Sequence, residues 1–341
     1  MCWAEEMRCI LHAGAHKTGS TAIQEALSGF DDGVTCYADL GHPNHSFALQ
    51  GAFSEDDEFS DHLIRAGVQI DLKTHVKGDI NRILKLDRDR IIFSAENLSI
   101  IDYNTLERLR DYILKRCTDI NVIYFVRDPL DWTCSFIQAH VNLGSKMCDI
   151  RVPNFSEQIV KIQDIFGEKN VKVLSYEAEK KCYNDIVPAY CDLVGIDPGR
   201  IKRPRSYVNK ALSADAFATI SRLNELEMAI LNEPQLQPTY RRFIRIIKRL
   251  SRDRKALDPI SFSAYCNFED YEFLSDTFDI QYSNLVSDEI IDNSNHAKVS
   301  QEFTDIMFGF IEGKGINLTR ANTDSIIKSI YLYSFCREFN H

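Results

Sequence analysis

Three short runs of this sequence carry residues suited to holding an anion and moving a proton. The first is Ile10-Leu11-His12-Ala13-Gly14-Ala15-His16-Lys17-Thr18-Gly19-Ser20-Thr21. It reads as a strand, a loop of small residues and a helix start. Such a loop aims backbone N–H groups and a helix N-terminus at one point, where unsatisfied donors and the helix dipole collect negative charge. Lys17 adds a full positive charge there, and Ser20 and Thr21 can both cap the helix and donate hydroxyls. The order is not that of a Walker A loop, because the Lys precedes the Gly. The second run is Val122-Ile123-Tyr124-Phe125-Val126-Arg127-Asp128-Pro129-Leu130-Asp131-Trp132-Thr133-Cys134-Ser135. Arg127 stands at the carboxyl end of an apolar strand, Asp128 suits an N-cap and Pro129 a first helical position, with Ser135 about two turns further on. A guanidinium there suits bidentate phosphate binding, and a salt bridge to Asp131 or Asp128 is the other reading. The third run, Ile91-Ile92-Phe93-Ser94-Ala95-Glu96-Asn97-Leu98, puts Glu96 just past a strand. It is placed either as a base or as a helix cap or partner to a buried Arg. His12 and His16 are four apart, a spacing that aligns two metal ligands only on a helix. No metal site is read from them; His12 suits a structural role, and His16 a contact to substrate.

The elements that must position these groups are legible as an alternation of short apolar runs and amphipathic segments, the pattern of a parallel sheet wrapped by helices. Strands are expected near Arg8–Ala13, Val34–Ala38, Arg90–Ser94, Asn121–Val126 and Val171–Ser175. Helical spacing covers Thr21–Leu27, Thr74–Leu86, Leu106–Lys115, Leu130–Asn142 and Ser156–Phe166. The predicted fold is thus α/β, three layers around a parallel sheet of about five strands. Because ligands bind at the carboxyl ends of strands in such sheets, Lys17, Glu96 and Arg127 are expected to converge on one crevice. Strand signals fade after about residue 205, and helical spacing dominates through Ala216–Leu231, Tyr240–Leu250, Phe268–Ser275 and Thr323–Phe335. Residues 1–204 are therefore expected to form the α/β core and 205–341 a C-terminal helical extension, with Pro198–Arg205 as the seam.

Composition limits the function. An apolar share of 44% over 341 residues supports a sizeable core. The formal charge of −10 argues against general nucleic-acid binding. No apolar stretch reaches the ~18 residues of a membrane span, and no secretory signal is visible. Ten scattered cysteines without a CxxC pair fit a reducing cytoplasm. One stretch breaks the acidic balance: Arg241 to Lys255 holds eight basic residues and one acidic one, with Tyr240, Phe243, Ile244, Ile247 and Leu250 at helical spacing. Its basic face is read as either a solvated surface or a peripheral contact for an anionic acceptor or membrane surface.

The Lys-Thr-Gly-Ser-Thr loop, with Gln24 three residues on, resembles the 5′-phosphosulfate loop of sulfotransferases that use PAPS (3′-phosphoadenosine 5′-phosphosulfate), especially a bacterial group. The Arg127-x-Pro129 element with Ser135 resembles that family's 3′-phosphate site, and Ser94-x-Glu96-x-Leu98 its general-base segment. Softer likenesses are Ser175-Tyr176-Glu177 and the Asn-x-x-Leu-Ser stretch at Asn209–Ser213. Together they span roughly residues 8 to 215. The resemblance implies a P-loop NTPase-like fold without metal, and the transfer of a sulfuryl group from PAPS to a hydroxyl or amine, leaving PAP (adenosine 3′,5′-bisphosphate). It implies that Lys17, Thr18, Gly19, Ser20 and Thr21 hold the 5′ end of the donor, and that Arg127 and Ser135 hold the 3′ end. Catalytic roles fall to Lys17, Glu96 and His16, and the implied acceptor is a carbohydrate or glycolipid. His16 departs from the Pro of many relatives, and the Arg-Lys-Gly element of the cytosolic enzymes is absent. Trp132, Arg205 and Lys210 are candidates for the adenine contact. Two other classes stay open: a P-loop-type kinase, and a non-catalytic nucleotide- or glycan-binding module of the same fold.

Overall fold

In the chain's computed structural model the described residues are 7–55, 72–201, 211–226, 237–282, 298–318 and 322–336. Five strands form one sheet: β1 (Arg8–His12), β2 (Thr35–Tyr37), β3 (Arg90–Ser94), β4 (Asp119–Val126) and β5 (Val171–Ser175). Their order is β2-β3-β1-β4-β5, and every pairing is parallel. The α/β architecture expected from the alternation is therefore the one observed. β3 and β5 match the expected bounds, β4 starts two residues earlier, and β1 and β2 are shorter. His12 at the end of β1 pairs with Ser94 at the end of β3, while β4 runs three residues past its own partner, Ile123.

The chain clusters into two compact units, Met1–Asp128 with Pro153–Val208 and Asn267–Ser283, and Pro129–Val152 with Asn209–Cys266 and Asn284–His341. The first holds the sheet. On one of its faces Ile10, Ile92, Ile123 and Phe125 pack with Ile23 and Leu27 of the helix Ser20–Leu27 and with Ile186, Tyr190 and Val194 of the helix Ile186–Val194. Neighbouring strand residues point to the opposite face. There the Tyr124 hydroxyl donates to Gln158 Oε1 of the helix Phe155–Phe166 at 2.6 Å. That helix packs in turn on Tyr103–Ile113, which packs on Ser46–Phe53. Burial on both faces is why Ile91-Ile92-Phe93 of β3 and Val122 to Val126 of β4 are continuous apolar runs.

The second unit is helical among its described residues: Pro129–Asn142, Ala214–Leu226, Gln237–Leu250, Gln301–Glu312 and Thr323–Cys336. Polar ties fix it from within. Asn224 Nδ2 donates to the Val141 and Ser145 carbonyls at 2.8 and 2.9 Å, and its Oδ1 accepts from the buried Tyr240 hydroxyl at 2.8 Å. Arg222 grips Asp324 through two N–H groups at 2.9 and 2.7 Å. In Gln237–Leu250 the apolar face of Tyr240, Phe243, Ile244 and Ile247 is buried, leaving Arg241, Arg245, Lys248 and Arg249 exposed. Two of the basic residues are structural: Arg242 donates to the Ser334 carbonyl at 2.8 Å, and Arg254 pairs with Asp215 and Glu302. No described helix is long and apolar enough to cross a membrane.

Candidate active site

The loop after β1 is pinned to β4. Ala13 N–H donates to the Ile123 carbonyl at 3.0 Å and Ala15 N–H to that of Phe125 at 3.2 Å. A Cβ on Gly14 would stand 3.1 Å from Phe125 N, so glycine permits the close approach. The chain then turns through two left-handed residues, Lys17 (φ 69) and Gly19 (φ 85). Between them Thr18 is buried, and its hydroxyl donates to the Ala15 carbonyl at 2.6 Å. Gly19 itself is the N-cap of the helix Ser20–Leu27, which has no side-chain cap bond. This corrects the expectation that Ser20 and Thr21 cap the helix. The left-handed turn puts both past the N-cap position: Thr21 is exposed, while Ser20 is buried at the first helical turn and its Oγ has no partner. A buried hydroxyl without a partner at a helix N-terminus is an environment short of an acceptor.

Three further charged groups meet this loop from neighbouring strand ends. Glu96 follows β3, and its Oε2 lies 3.5 Å from His16 Nδ1 while Oε1 accepts from Asn44 Nδ2 at 3.3 Å. Glu96 thus neither caps a helix nor pairs with a buried Arg; its partners are His16 and Asn44. Burial holds the Lys17 ammonium below the usual lysine range; Glu96 opposes the shift and Arg127 adds to it, so the three charges sense one another. Burial likewise lowers His16, with Glu96 opposing and Lys17 assisting, which favours the neutral imidazole. Arg127 follows β4, and its Nε lies 3.4 Å from Glu177 Oε1. Asp128 Oδ1 accepts from the Tyr271 hydroxyl at 3.0 Å. The Arg127 guanidinium stands 6.0 Å from the centre of the Tyr176 ring, and a Cβ on Gly19 would touch that ring at 3.1 Å. The start of the helix Tyr176–Tyr183 after β5 therefore links Arg127 to the loop, a role that a two-residue motif does not reveal.

These groups sit where the strand order switches: β1 is followed by β2 beyond β3, and β4 lies on the other side of β1. Beneath them His12 is buried, its Nδ1 at 2.8 Å from Ser94 Oγ, which also accepts from Gln24 Nε2 at 3.1 Å. Burial pushes His12 down to about 3, consistent with a neutral structural residue. Among the described residues no three His, Cys, Asp or Glu side chains gather as a metal-ligand set.

No protein-family model matches the chain, and no curated protein is significantly similar to it. Among solved structures it is similar to a sulfotransferase from Alicyclobacillus acidocaldarius, at 16% identity and a TM-score of 0.33 over 63% of this chain and 91% of that one. It is also similar to a sulfotransferase domain from the curacin biosynthetic pathway, at 16% identity and a TM-score of 0.36 over 60% and 81% of the two chains. A likeness at this level assigns no activity, and the chemistry has to be read from the site's own residues.

The expected site is only partly assembled within the first unit. Lys17, Thr18, Gly19, Ser20, Thr21, His16, Glu96 and Arg127 all belong to it. Ser135, half-buried on the helix Pro129–Asn142, belongs to the second unit. Trp132 on the same helix is 2% exposed and packs on Phe136, so it is a core residue and offers no open ring for adenine. Arg205, Lys210 and the start of the Asn209–Ser213 stretch lie outside the described residues.

Proposed function

We propose that the chain is a PAPS-dependent sulfotransferase. The observation that carries the proposal is the gathering of Lys17, Glu96 and Arg127 at the carboxyl ends of β1, β3 and β4, beside a helix N-terminus whose buried Ser20 hydroxyl has no partner. Two cations and a set of aimed donors fit a ligand with two separated anionic groups, and the one carboxylate among them fits a proton acceptor. Bound PAPS supplies an activated sulfuryl group, whose S–O bond to phosphate breaks as an acceptor oxygen or nitrogen bonds to sulfur. Glu96 takes the acceptor's proton. Lys17 and the loop N–H groups neutralise charge on the departing phosphate oxygen, and Arg127 with Ser135 holds the 3′-phosphate. His16, kept neutral by burial, holds Glu96 toward the acceptor.

A carbohydrate or glycolipid is the proposed acceptor class, by analogy with the Glu-base relatives. The exposed Arg241, Arg245, Lys248 and Arg249 form a proposed contact for an anionic acceptor. Reversing Arg241, Arg245 and Arg249 is expected to raise the acceptor KM several-fold at low salt and to do little at high salt, where such contacts are screened. The deciding experiment is transfer from labelled PAPS, screened across polysaccharides, glycolipids and small phenols, beside binding of PAP and of ATP. Binding of ATP without PAP would replace this reading with the kinase one.

A further inference from the structure

Arg127, the residue proposed above to hold the donor's 3′-phosphate, is already engaged by a carboxylate. Glu177 Oε1 lies 3.4 Å from Arg127 Nε, and Glu177 Oε2 is buried without a hydrogen-bond partner. An anion held beside a phosphate-binding cation opposes the arrival of a dianion, because like charges a few ångströms apart in a partly buried site repel strongly. The buried Oε2 atom leaves one side of the carboxylate unpaired, a place where a proton can sit.

We propose that Glu177 is a built-in competitor for the anion that Arg127 binds: its carboxylate holds the guanidinium in the ligand-free site and takes up a proton from solvent when a phosphate arrives. Glu177 thereby sets the site's affinity for the 3′-phosphate and keeps the product PAP from binding too tightly at neutral pH. The surroundings are consistent. Burial raises the Glu177 carboxyl above its ordinary value, the Arg127 charge and the Asp128 backbone oppose that, and the Asp128 carboxylate adds to it. Tyr282, whose hydroxyl donates to Ser175 Oγ at 3.3 Å, faces Glu177 from the segment after the helix Glu269–Phe278 and is itself held neutral by burial. On Glu177's own helix, Lys180 lies over the Tyr176 ring at 5.6 Å. A carboxyl already raised before binding needs only the added phosphate charge to be neutralised.

The inference rests on the donor reading, and one titration separates the two. PAP and 5′-AMP, which lacks the 3′-phosphate, are bound to the full chain by calorimetry between pH 6 and 8. Each is run in two buffers of different ionisation enthalpy, for the wild type and Glu177→Gln. The wild type is expected to take up a fraction of a proton with PAP and none with 5′-AMP, with PAP affinity falling as pH rises. Glu177→Gln is expected to bind PAP about three- to tenfold tighter at pH 7.5, to lose the extra proton uptake, and to leave 5′-AMP unchanged. If PAP binds but the variant binds it equally or more weakly, Glu177 only props the arginine and the inference is overturned. The proton count in the wild type decides the matter should the variant fold poorly, since no uptake with PAP also overturns it. If the wild type binds PAP no better than 5′-AMP, the donor reading falls, and the inference with it.

Discussion

Lys17 combines two properties that are seldom found together, a left-handed backbone and a partly buried charge (φ 69). A non-glycine residue there costs about 1–2 kcal/mol, so the loop keeps its lysine in spite of the fold. Under the proposed function, Lys17→Gly and Lys17→Ala should both abolish transfer. The glycine variant should hold its thermal midpoint within about 3 °C, since relief of strain offsets the entropy of an added glycine. Turnover measured beside the midpoint checks this, and near-normal turnover in either variant would remove Lys17 from the chemistry. Glu96→Gln keeps the bond from Asn44 while losing basicity. Single-turnover transfer is expected to fall by about 10²–10⁴ with PAP affinity near wild type, the signature of a group that acts only in the transition state. A Gln variant within a few-fold of wild type would pass the base role to His16, which lies 3.5 Å from Glu96.

Among the elements, the turn at Gly19 is tightly constrained. A Cβ there would meet Ile186 Cγ2 at 2.9 Å and Tyr176 Cε2 at 3.1 Å at a backbone φ of +85. Gly33 has a similar φ of +88 with nothing within 4 Å, so Gly33→Ala isolates the backbone cost of about 1–2 kcal/mol. Gly19→Ala should cost more than Gly33→Ala in urea unfolding and should also weaken PAP binding, because Ile186 belongs to the core and cannot yield freely. Equal losses in the two variants would show that the contacts relax. The sheet was readable in advance because Ile91-Ile92-Phe93 and Val122 to Val126 are covered on both faces and admit no polar residue. The helix Ile186–Val194 was not, since six of its nine residues are buried and no polar face marks a 3.6-residue period. Tyr176–Tyr183 escaped for the opposite reason: none of its residues is buried, and its start is fixed by Ser175 Oγ accepting from Ala178 N–H. Lys17, Glu96 and Arg127 were legible because each follows a readable strand. The pairing of Arg127 with Glu177 was not, because it depends on β5 lying next to β4, and strand order is absent from local spacing.

The whole molecule carries an acid-sensitive pair of histidines in its sheet-bearing unit. His45 is fully buried and its Nδ1 accepts from Ser94 N–H at 3.1 Å, while His12 shares the Ser94 hydroxyl. The Nε2 atoms of both are buried without partners, so neither ring has a place for a second proton. Burial lowers His12 to about 3 and His45 to about 4. A depressed folded-state value means that the unfolded chain binds protons first: above pH ~6.5 both residues are neutral in both states and nothing is lost. As pH falls from ~6.5 toward 4, the unfolded chain gains up to two protons that the folded one refuses, and stability drops by up to about 2.7 kcal/mol per pH unit. Asp270, raised by burial, pulls weakly the other way, since a carboxyl raised in the fold favours the folded state in acid. Against a total of about 5–15 kcal/mol, two such histidines remove up to about 4 kcal/mol by pH 5, a large share of the unit's stability. Urea unfolding at pH 7, 6 and 5 should therefore show a steep loss that becomes shallower in His45→Gln, whose amide can accept the Ser94 N–H but cannot be protonated. A wild-type stability that stays flat from pH 7 to 5 would mean that at least one imidazole finds a proton acceptor in the folded state.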